Sequence, residues 1–124
     1  MSVLEPADAV LWLTDITRSQ AEIKLALSAP LYEYGRQRAD GLAYAKFAVA
    51  KDGWNGVAAF FRRDGETIPR LVASGAIGAA TLDLMFVFPA ERITRSAVIQ
   101  ADVAAIVGAC GVSLVVSTYP LEGS

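Results

Sequence analysis

The sequence contains no histidine and only one cysteine, Cys110, in 124 residues. Histidine is the commonest general base near neutral pH and the commonest metal ligand, so its absence argues against an enzyme and against a metal site. No nucleophile motif or other catalytic constellation stands out either. We therefore predict that the chain is not an enzyme and carries no cofactor. The single cysteine excludes an internal disulfide, and a free cysteine is most often a small buried apolar residue.

Long apolar runs are also missing. No stretch approaches the uninterrupted length of about 18 apolar residues that suggests a transmembrane helix, so we expect no membrane span. The apolar content is nevertheless 54%, and it comes largely from alanine, valine and leucine, whereas aromatic residues make up only 9%. A chain of this length and composition is sufficient for a single domain with its own core. The formal net charge of −2 neither favours nor excludes nucleic acid, since binding depends on where the charges lie.

The stretch 81–108 joins a strand pattern to a helix pattern, and the rest of the prediction is organised around it. Alternation predicts a strand with one apolar face, formed by Leu82, Leu84, Phe86 and Phe88. Pro89 has no backbone donor and ends this strand. From Ala90 the spacing becomes helical and predicts one amphipathic helix with an apolar stripe of Ile93, Ala97, Ile99, Val103, Ile106 and Cys110. Such a helix has to cover a sheet, either in its own chain or in a symmetric partner.

The N-terminal part of the chain contains one segment whose pattern fits both a strand and a helix. Residues 9–13 are continuously apolar and predict a strand. Residues 21–27 alternate as a strand does, yet Ser19 and Glu22 have the spacing of a helical capping box. Pro30 would limit that helix to about two turns, which is short for an isolated helix. We therefore predict a strand at 21–27, paired in a hairpin with residues 9–15.

The middle of the chain predicts a hairpin followed by a loop. Residues 31–38 and 42–50 are extended, and the Ala-Asp-Gly between them suits a hairpin connection. After a short apolar run at 57–61, the polar stretch 62–69 has no core-facing periodicity and predicts an exposed, flexible loop. An extended segment resumes at 70–74.

The end of the chain completes an α+β prediction. The β-branched residues in 112–119 favour a strand by their own propensity. Taken in order, the elements are an N-terminal hairpin, an antiparallel β-meander and a C-terminal helix, all within one domain that spans the 124 residues.

Four segments of this order form a recognisable set. They are the hairpin and strand at 36–49, the G-E-x-x-P loop at 65–69, the joint F-V-F-P-A-E-R at 86–92, and the apolar ending at 114–121. Together they resemble the coat proteins of single-stranded RNA bacteriophages, the levivirus type. The resemblance implies a homodimer that assembles into an icosahedral capsid around a single-stranded RNA genome. It implies location in the virion, with assembly in the bacterial host cytoplasm and no membrane partner.

The resemblance also implies how the subunits meet. In that family the C-terminal helices cross onto the sheet of a second subunit, which implies a second helix at 112–119 against the strand propensity of that segment. A dimer interface is expected at Ile93, Ile99, Val103 and Ile106. An inter-dimer loop is expected at Arg62, Arg63, Asp64, Gly65, Glu66 and Pro69.

The strand at 42–50 supplies the candidate binding residues. Tyr44 and Lys46 share one face of it, where an aromatic ring beside a cation can stack on a base and neutralise a phosphate. With the resemblance, we expect an RNA-binding face made of Tyr32, Tyr34, Arg36, Arg38, Tyr44, Lys46, Thr81 and Asp83. The alternative is an ordinary solvated sheet face. The alternative function is a small homodimeric α+β module that holds a ligand or peptide in a groove beside the helix.

Overall fold

The computed structural model describes residues 4–37, 40–51, 53–89 and 97–121. In these segments the elements are, in chain order, β1 (Asp8–Ile16), α1 (Gln20–Ala26), β2 (Leu31–Arg36), β3 (Ala43–Ala50), α2 (Trp54–Asp64), α3 (Thr67–Ala73), β4 (Ala79–Pro89), α4 (Ala101–Ala109) and β5 (Ser113–Leu121). The strands form one mixed sheet in the order β2-β3-β1-β4-β5. The α+β class predicted from the sequence is confirmed.

The first strand lies at the centre of the sheet and is the most deeply buried. It pairs antiparallel with β3 on one side and with β4 on the other, while β2 forms the predicted hairpin with β3. Because β5 runs parallel to β4, the chain needs a crossover connection that returns it to the end of the sheet where β4 begins. The helix α4 lies in that connection. The strands therefore do not follow a simple meander, since β1 is inserted between β3 and β4.

All the described helices cover the same face of the sheet. Ile23 of α1, Val57 of α2, Ile68 of α3 and Val103 of α4 belong to one core cluster. The sheet contributes its inward-facing side chains to this cluster, among them Leu11, Leu13, Ala45, Phe47, Leu82, Leu84 and Phe86, all of which are 0% exposed. Each fully buried aliphatic or aromatic side chain stabilises the fold by about 1.5–3 kcal/mol. Within the described residues, no helix combines the length and apolar content needed to cross a bilayer.

The predicted strand at 21–27 is wrong, because this segment forms α1. The Ser19 hydroxyl accepts a hydrogen bond from the Glu22 N–H at 3.2 Å, and the Glu22 carboxylate accepts one from the Ser19 N–H at 3.4 Å. This capping box satisfies backbone donors that the first turn of a helix leaves free. The apparent alternation was misleading: Ile23 and Leu27 are buried, whereas Leu25 between them is 84% exposed. Packing of the two buried side chains stabilises a helix too short to persist alone.

The predicted exposed loop at 62–69 and the extended segment at 70–74 are also wrong, since α2 and α3 occupy this region. Trp54, Val57 and Phe61 recur at helical spacing and are buried. Asp64, expected in solvent, is 9% exposed and accepts hydrogen bonds from the Ser28 N–H and hydroxyl. This carboxylate thus ties the end of α2 to the segment that follows α1.

The C-terminal third departs from both the helix prediction and the resemblance. The helix begins at Ala101, because residues 97–100 are not helical and Ala97 instead forms a bridge with Leu4. Residues 113–121 form the edge strand β5, so their propensity for strand is confirmed and the second helix implied by the coat proteins is absent.

The described residues of the predicted dimer interface face the core of their own chain. Val103 is 1% exposed within the core of its own chain, so it offers no surface to a partner and that assignment is corrected. Ile99 and Ile106 are partly buried against the same core. Ile93 lies outside the described residues.

We expect Val103→Asp to lower the free energy of unfolding by about 3 kcal/mol or more, because it places an unpaired charge in the core of the chain itself. Val98→Asp is the matched control: Val98 is 52% exposed, and its replacement should change stability by no more than about 0.5 kcal/mol. Urea denaturation measures both. A Val103→Asp protein that stays folded and only changes from dimer to monomer would show that Val103 lies in a dimer interface and not in the core.

Candidate binding face of the sheet

The side of the sheet opposite the helices is uncovered in the described part of the chain. Because side chains alternate along a strand, the residues between the buried ones project to this side. We call this surface the open face. It comprises Val10, Trp12 and Thr14 of β1, Tyr44, Lys46 and Ala48 of β3, Thr81, Asp83 and Met85 of β4, Val115, Ser117 and Tyr119 of β5, and the nearby Tyr32 and Glu33 of β2.

An aromatic pair and an ion pair occupy one half of the open face. The rings of Trp12 and Tyr44 stack at 26° with centroids 6.1 Å apart. The Lys46 ammonium lies 3.9 Å from the Trp12 ring centroid and 3.4 Å from a Glu33 carboxylate oxygen. The other oxygen of Glu33 accepts a hydrogen bond from the Tyr44 hydroxyl at 2.7 Å. Gly35 makes room for this arrangement, because a Cβ there would lie 2.9 Å from the Tyr44 ring.

The shared hydrogen bond changes the acidity of both partners. Donation by the Tyr44 hydroxyl lowers the pKa of Glu33, and the charge of Lys46 lowers it further. The same hydrogen bond to Glu33 raises the pKa of Tyr44. At neutral pH the carboxylate is therefore ionised and the phenol is protonated. The Glu33–Lys46 pair is present above the ordinary pKa of a glutamate and is lost as the pH falls through the lowered one.

The other half of the open face contains a shallow hollow between β1, β4 and β5. It has a volume of about 280 Å³ and is lined by Trp12, Thr14, Thr81, Asp83 and Val115. Its surface is largely apolar apart from the two threonine hydroxyls and the carboxylate. The Ser117 hydroxyl donates a hydrogen bond of 2.7 Å to Asp83 and holds the carboxylate in place.

A second hollow lies toward the other end of β1. It has a volume of about 360 Å³ and is lined by Asp8, Val10, Tyr32, Ala48, Lys51 and Met85. Burial raises the pKa of Tyr32, and the negative charges of Glu33, Asp83 and Asp8 raise it further. The carboxylates of the open face thus act together on one phenol. Among the described residues, the charged groups near this face are the carboxylates of Asp8, Glu33 and Asp83 and the ammonium groups of Lys46 and Lys51. The face is therefore net negative.

The structure brings together five of the eight residues predicted for RNA binding, on the open face: Tyr32, Tyr44, Lys46, Thr81 and Asp83. The prediction that Tyr34 and Arg36 share this face is wrong. Their cross-strand partners are Ala45 and Ala43, which face the core. A register irregularity between Leu31 and Glu33 shifts the alternation of β2, so parity counted from Tyr32 fails. Arg38 lies outside the described residues.

The charged residues predicted for an inter-dimer loop lie elsewhere on the molecule. Arg62 is exposed on α2, and the Arg63 guanidinium contacts Asp64 at 3.3 Å. Glu66 pairs with Arg70 at 3.5 Å on the other helix of this region. These residues belong to elements that pack on the helix-covered side, so they do not add positive charge to the open face.

Sequence reasoning missed the two residues that organise the open face, Trp12 and Glu33. A signal for Trp12 was present, because strand alternation with Leu11 and Leu13 inside places Trp12 outside. Glu33 had no such signal, since its position depends on the irregularity in β2. No cluster of three or more histidine, cysteine or acidic side chains suitable for a metal ion occurs among the described residues.

No family model, curated protein or solved structure matches this chain. The resemblance to levivirus coat proteins therefore gains no support from relatives. The structure also departs from what the resemblance implied, at the strand β5 and at the helical region 62–69. The capsid function stays a prediction.

We predict that Tyr44→Phe moves the pKa of Glu33 back up toward its ordinary value, because the ring remains but its hydroxyl no longer donates to the carboxylate. Loss of the Glu33–Lys46 pair then occurs at a higher pH than in the unmodified protein. Carboxyl-detected NMR titration of Glu33 measures this directly. Tyr34→Phe is the control, since the Tyr34 hydroxyl donates to the Arg18 carbonyl at 3.3 Å on the other side of the sheet. An equal shift in both variants would refute the assigned cause.

Proposed function

We propose that this chain is a non-catalytic binding protein that engages a protein partner through the open face of its sheet. The observation that supports the proposal most strongly is the exposure of large apolar groups on that face. Tyr32 is 53% exposed, Val115 45% and Tyr119 51%, and they lie on the same face of the sheet as the partly exposed Trp12. Apolar side chains grouped on one surface, with polar groups among them, are typical of protein interaction sites.

The chemistry of the open face favours binding over catalysis. Its most strongly interacting titratable groups, Glu33, Tyr44 and Lys46, satisfy one another. Catalysis needs a nucleophile or base aimed at a place where substrate can react. The described face offers instead indole, phenol and aliphatic surface with hydroxyl groups between them. Tryptophan and tyrosine are also the residues that contribute most to binding energy in protein interfaces.

The face is held rigidly, which favours tight contact. Trp12 lies on the central strand, between β3 and β4, and its ring is packed against Tyr44 and Lys46. A side chain that is already ordered loses little conformational entropy when a partner covers it. Immobilising a flexible side chain costs about 0.5–1.5 kcal/mol, so this preorganisation leaves more of the contact energy for affinity.

We expect Val115→Lys to abolish capture of the protein partner from extracts of the source organism, because it replaces an exposed apolar side chain of the contact surface with a charged one. Leu25→Lys is the matched control: Leu25 is 84% exposed on α1, away from the open face, and its replacement should leave capture unchanged. Quantitative mass spectrometry of cross-linked complexes compares the two. Equal loss with both variants, equal retention with both, or no specific capture by the unmodified chain would contradict the proposal.

A second proposal is the one that the resemblance implies, a homodimeric capsid subunit that packages single-stranded RNA and is located in the virion. The observation in its favour is the partly exposed stack of Trp12 and Tyr44 beside Lys46, since such groups bind bases and phosphates. The carboxylates of Asp8, Glu33 and Asp83 weigh against it, because they repel a phosphate backbone. For this reason we place it second.

RNA affinity measured against salt concentration separates the two proposals. If the open face binds RNA, Lys46→Ala should weaken binding and flatten the salt dependence. Tyr44→Ala should cost about 1–3 kcal/mol with less change in salt dependence, because a stacked base is lost. Arg62→Ala on α2 is the control. Fluorescence anisotropy with a single-stranded oligonucleotide provides the affinities, and an unmodified chain without measurable RNA affinity would exclude this proposal.

A further inference from the structure

We propose that the hollow lined by Trp12, Thr14, Thr81, Asp83 and Val115 receives an arginine side chain presented by the protein partner. The inference rests on the proposed function, since it specifies the group by which a partner enters the open face. It deepens that function by giving the partner a chemical requirement, a guanidinium group on an exposed segment.

The size of the hollow suits one long side chain. Its volume is about 280 Å³, whereas sites for cofactors and drug-sized ligands have about 300–1,000 Å³ and enclose the ligand more completely. A shallow hollow in a sheet face is accessible to a side chain that projects from another protein. The lining also suits a long cationic side chain, because Trp12 and Val115 provide apolar surface and Asp83 provides a carboxylate.

Arginine matches these walls part by part. Its aliphatic stem can lie along the Val115 side chain while its charged head reaches the carboxylate. The planar guanidinium stacks on aromatic rings and donates several hydrogen bonds in a fixed geometry. The Thr14 and Thr81 hydroxyls offer acceptors for the donors that Asp83 leaves free. Lysine lacks both the planarity and the additional donors.

The carboxylate of Asp83 is prepared for a cation that the described chain does not supply. The Ser117 hydroxyl donates to Oδ1 at 2.7 Å and orients the group. The ion pairs formed among the described residues join Lys46 to Glu33, Arg63 to Asp64 and Arg70 to Glu66, and none of them includes Asp83. Among the residues that the structure describes, no cation is therefore paired with Asp83.

The neighbouring lysine does not oppose a second cation in the hollow. Lys46 lies on β3, on the other side of Trp12 from β4 and β5, and Glu33 compensates its charge at 3.4 Å. The carboxylates of Glu33, Asp83 and Asp8 lie on the open face, and after the larger effect of burial they all raise the pKa of Tyr32. A field of this sign attracts a cationic group and repels an anionic one.

The test uses three short capped peptides, Gly-Arg-Gly, Gly-citrulline-Gly and Gly-Lys-Gly, titrated into the full chain. Citrulline has nearly the shape of arginine without its charge. We expect the arginine peptide to shift the Trp12 indole N–H and the Thr81 amide in NMR spectra, with the buried Trp54 indole unchanged. The citrulline peptide should bind at least about tenfold more weakly than the arginine peptide, because a charge-assisted hydrogen bond is replaced by a neutral one. The lysine peptide should bind between the two.

Two variants locate the site. Asp83→Asn keeps an acceptor for Ser117 and removes the charge, so it should weaken the arginine peptide about tenfold. Asp8→Asn, at the far end of β1, is the matched control and should change affinity less than twofold. Equal binding of arginine and citrulline peptides to the unmodified chain would overturn the inference even if Asp83→Asn failed to fold. Shifts confined to residues outside the hollow would overturn it as well.

The outcome is separable from that of the proposed function. If partner capture requires Val115 but is insensitive to Asp83→Asn, the open face binds a partner and the arginine site is wrong. If the arginine peptide binds at Asp83 but no partner requires the open face, the hollow has the stated chemistry and the proposed function fails.

Discussion

The burial of alternate side chains along β1 is the constraint on which the rest of the structure depends. Leu11 and Leu13 point into the core, and their neighbour Trp12 points to the open face. A slip of one residue in register would expose both leucines and place the indole beneath the helices. The leucines alone contribute about 1.5–3 kcal/mol each, which is comparable with the total stability of about 5–15 kcal/mol for a small domain. The register is therefore strongly fixed.

This one register divides the open face into two unlike halves. Toward β2 and β3, the Glu33 carboxylate accepts from Tyr44 and pairs with Lys46, so the polar groups there satisfy one another. Toward β4 and β5, Asp83 receives only the Ser117 hydroxyl among its described partners, next to the exposed Val115. The first half stabilises the position of Trp12, and the second half leaves the hollow beside it open. In the proposed function, the same surface therefore contains both the groups that fix Trp12 and the groups that contact a partner.

Sequence predicts this fold well where periodicity is undisturbed and poorly where a local irregularity or long-range packing decides. The alternation of residues 82–88 and the β-branched residues of 112–119 correctly predict strands where β4 and β5 lie. The face of Tyr34 is mispredicted, because an irregularity in β2 leaves no mark in the sequence. The helical spacing of 54–64 is detectable, but the charged end of that segment has the composition of a loop. Only the structure shows that Asp64 accepts a hydrogen bond from the Ser28 N–H. The open face itself could be predicted, and its charge balance could not.

The central claim is that the open face is the binding surface and the opposite face is core. Hydroxyl-radical footprinting of the isolated chain and of its complex tests this most directly, because oxidation reports side-chain exposure residue by residue. In the isolated chain, Trp12 and Tyr119 should be oxidised and Trp54, which is 3% exposed, should be protected. On binding, Trp12 and Tyr119 should become protected while Leu25 on α1 stays reactive. Protection of Leu25 with Trp12 unchanged would place the partner on the helices and contradict the account.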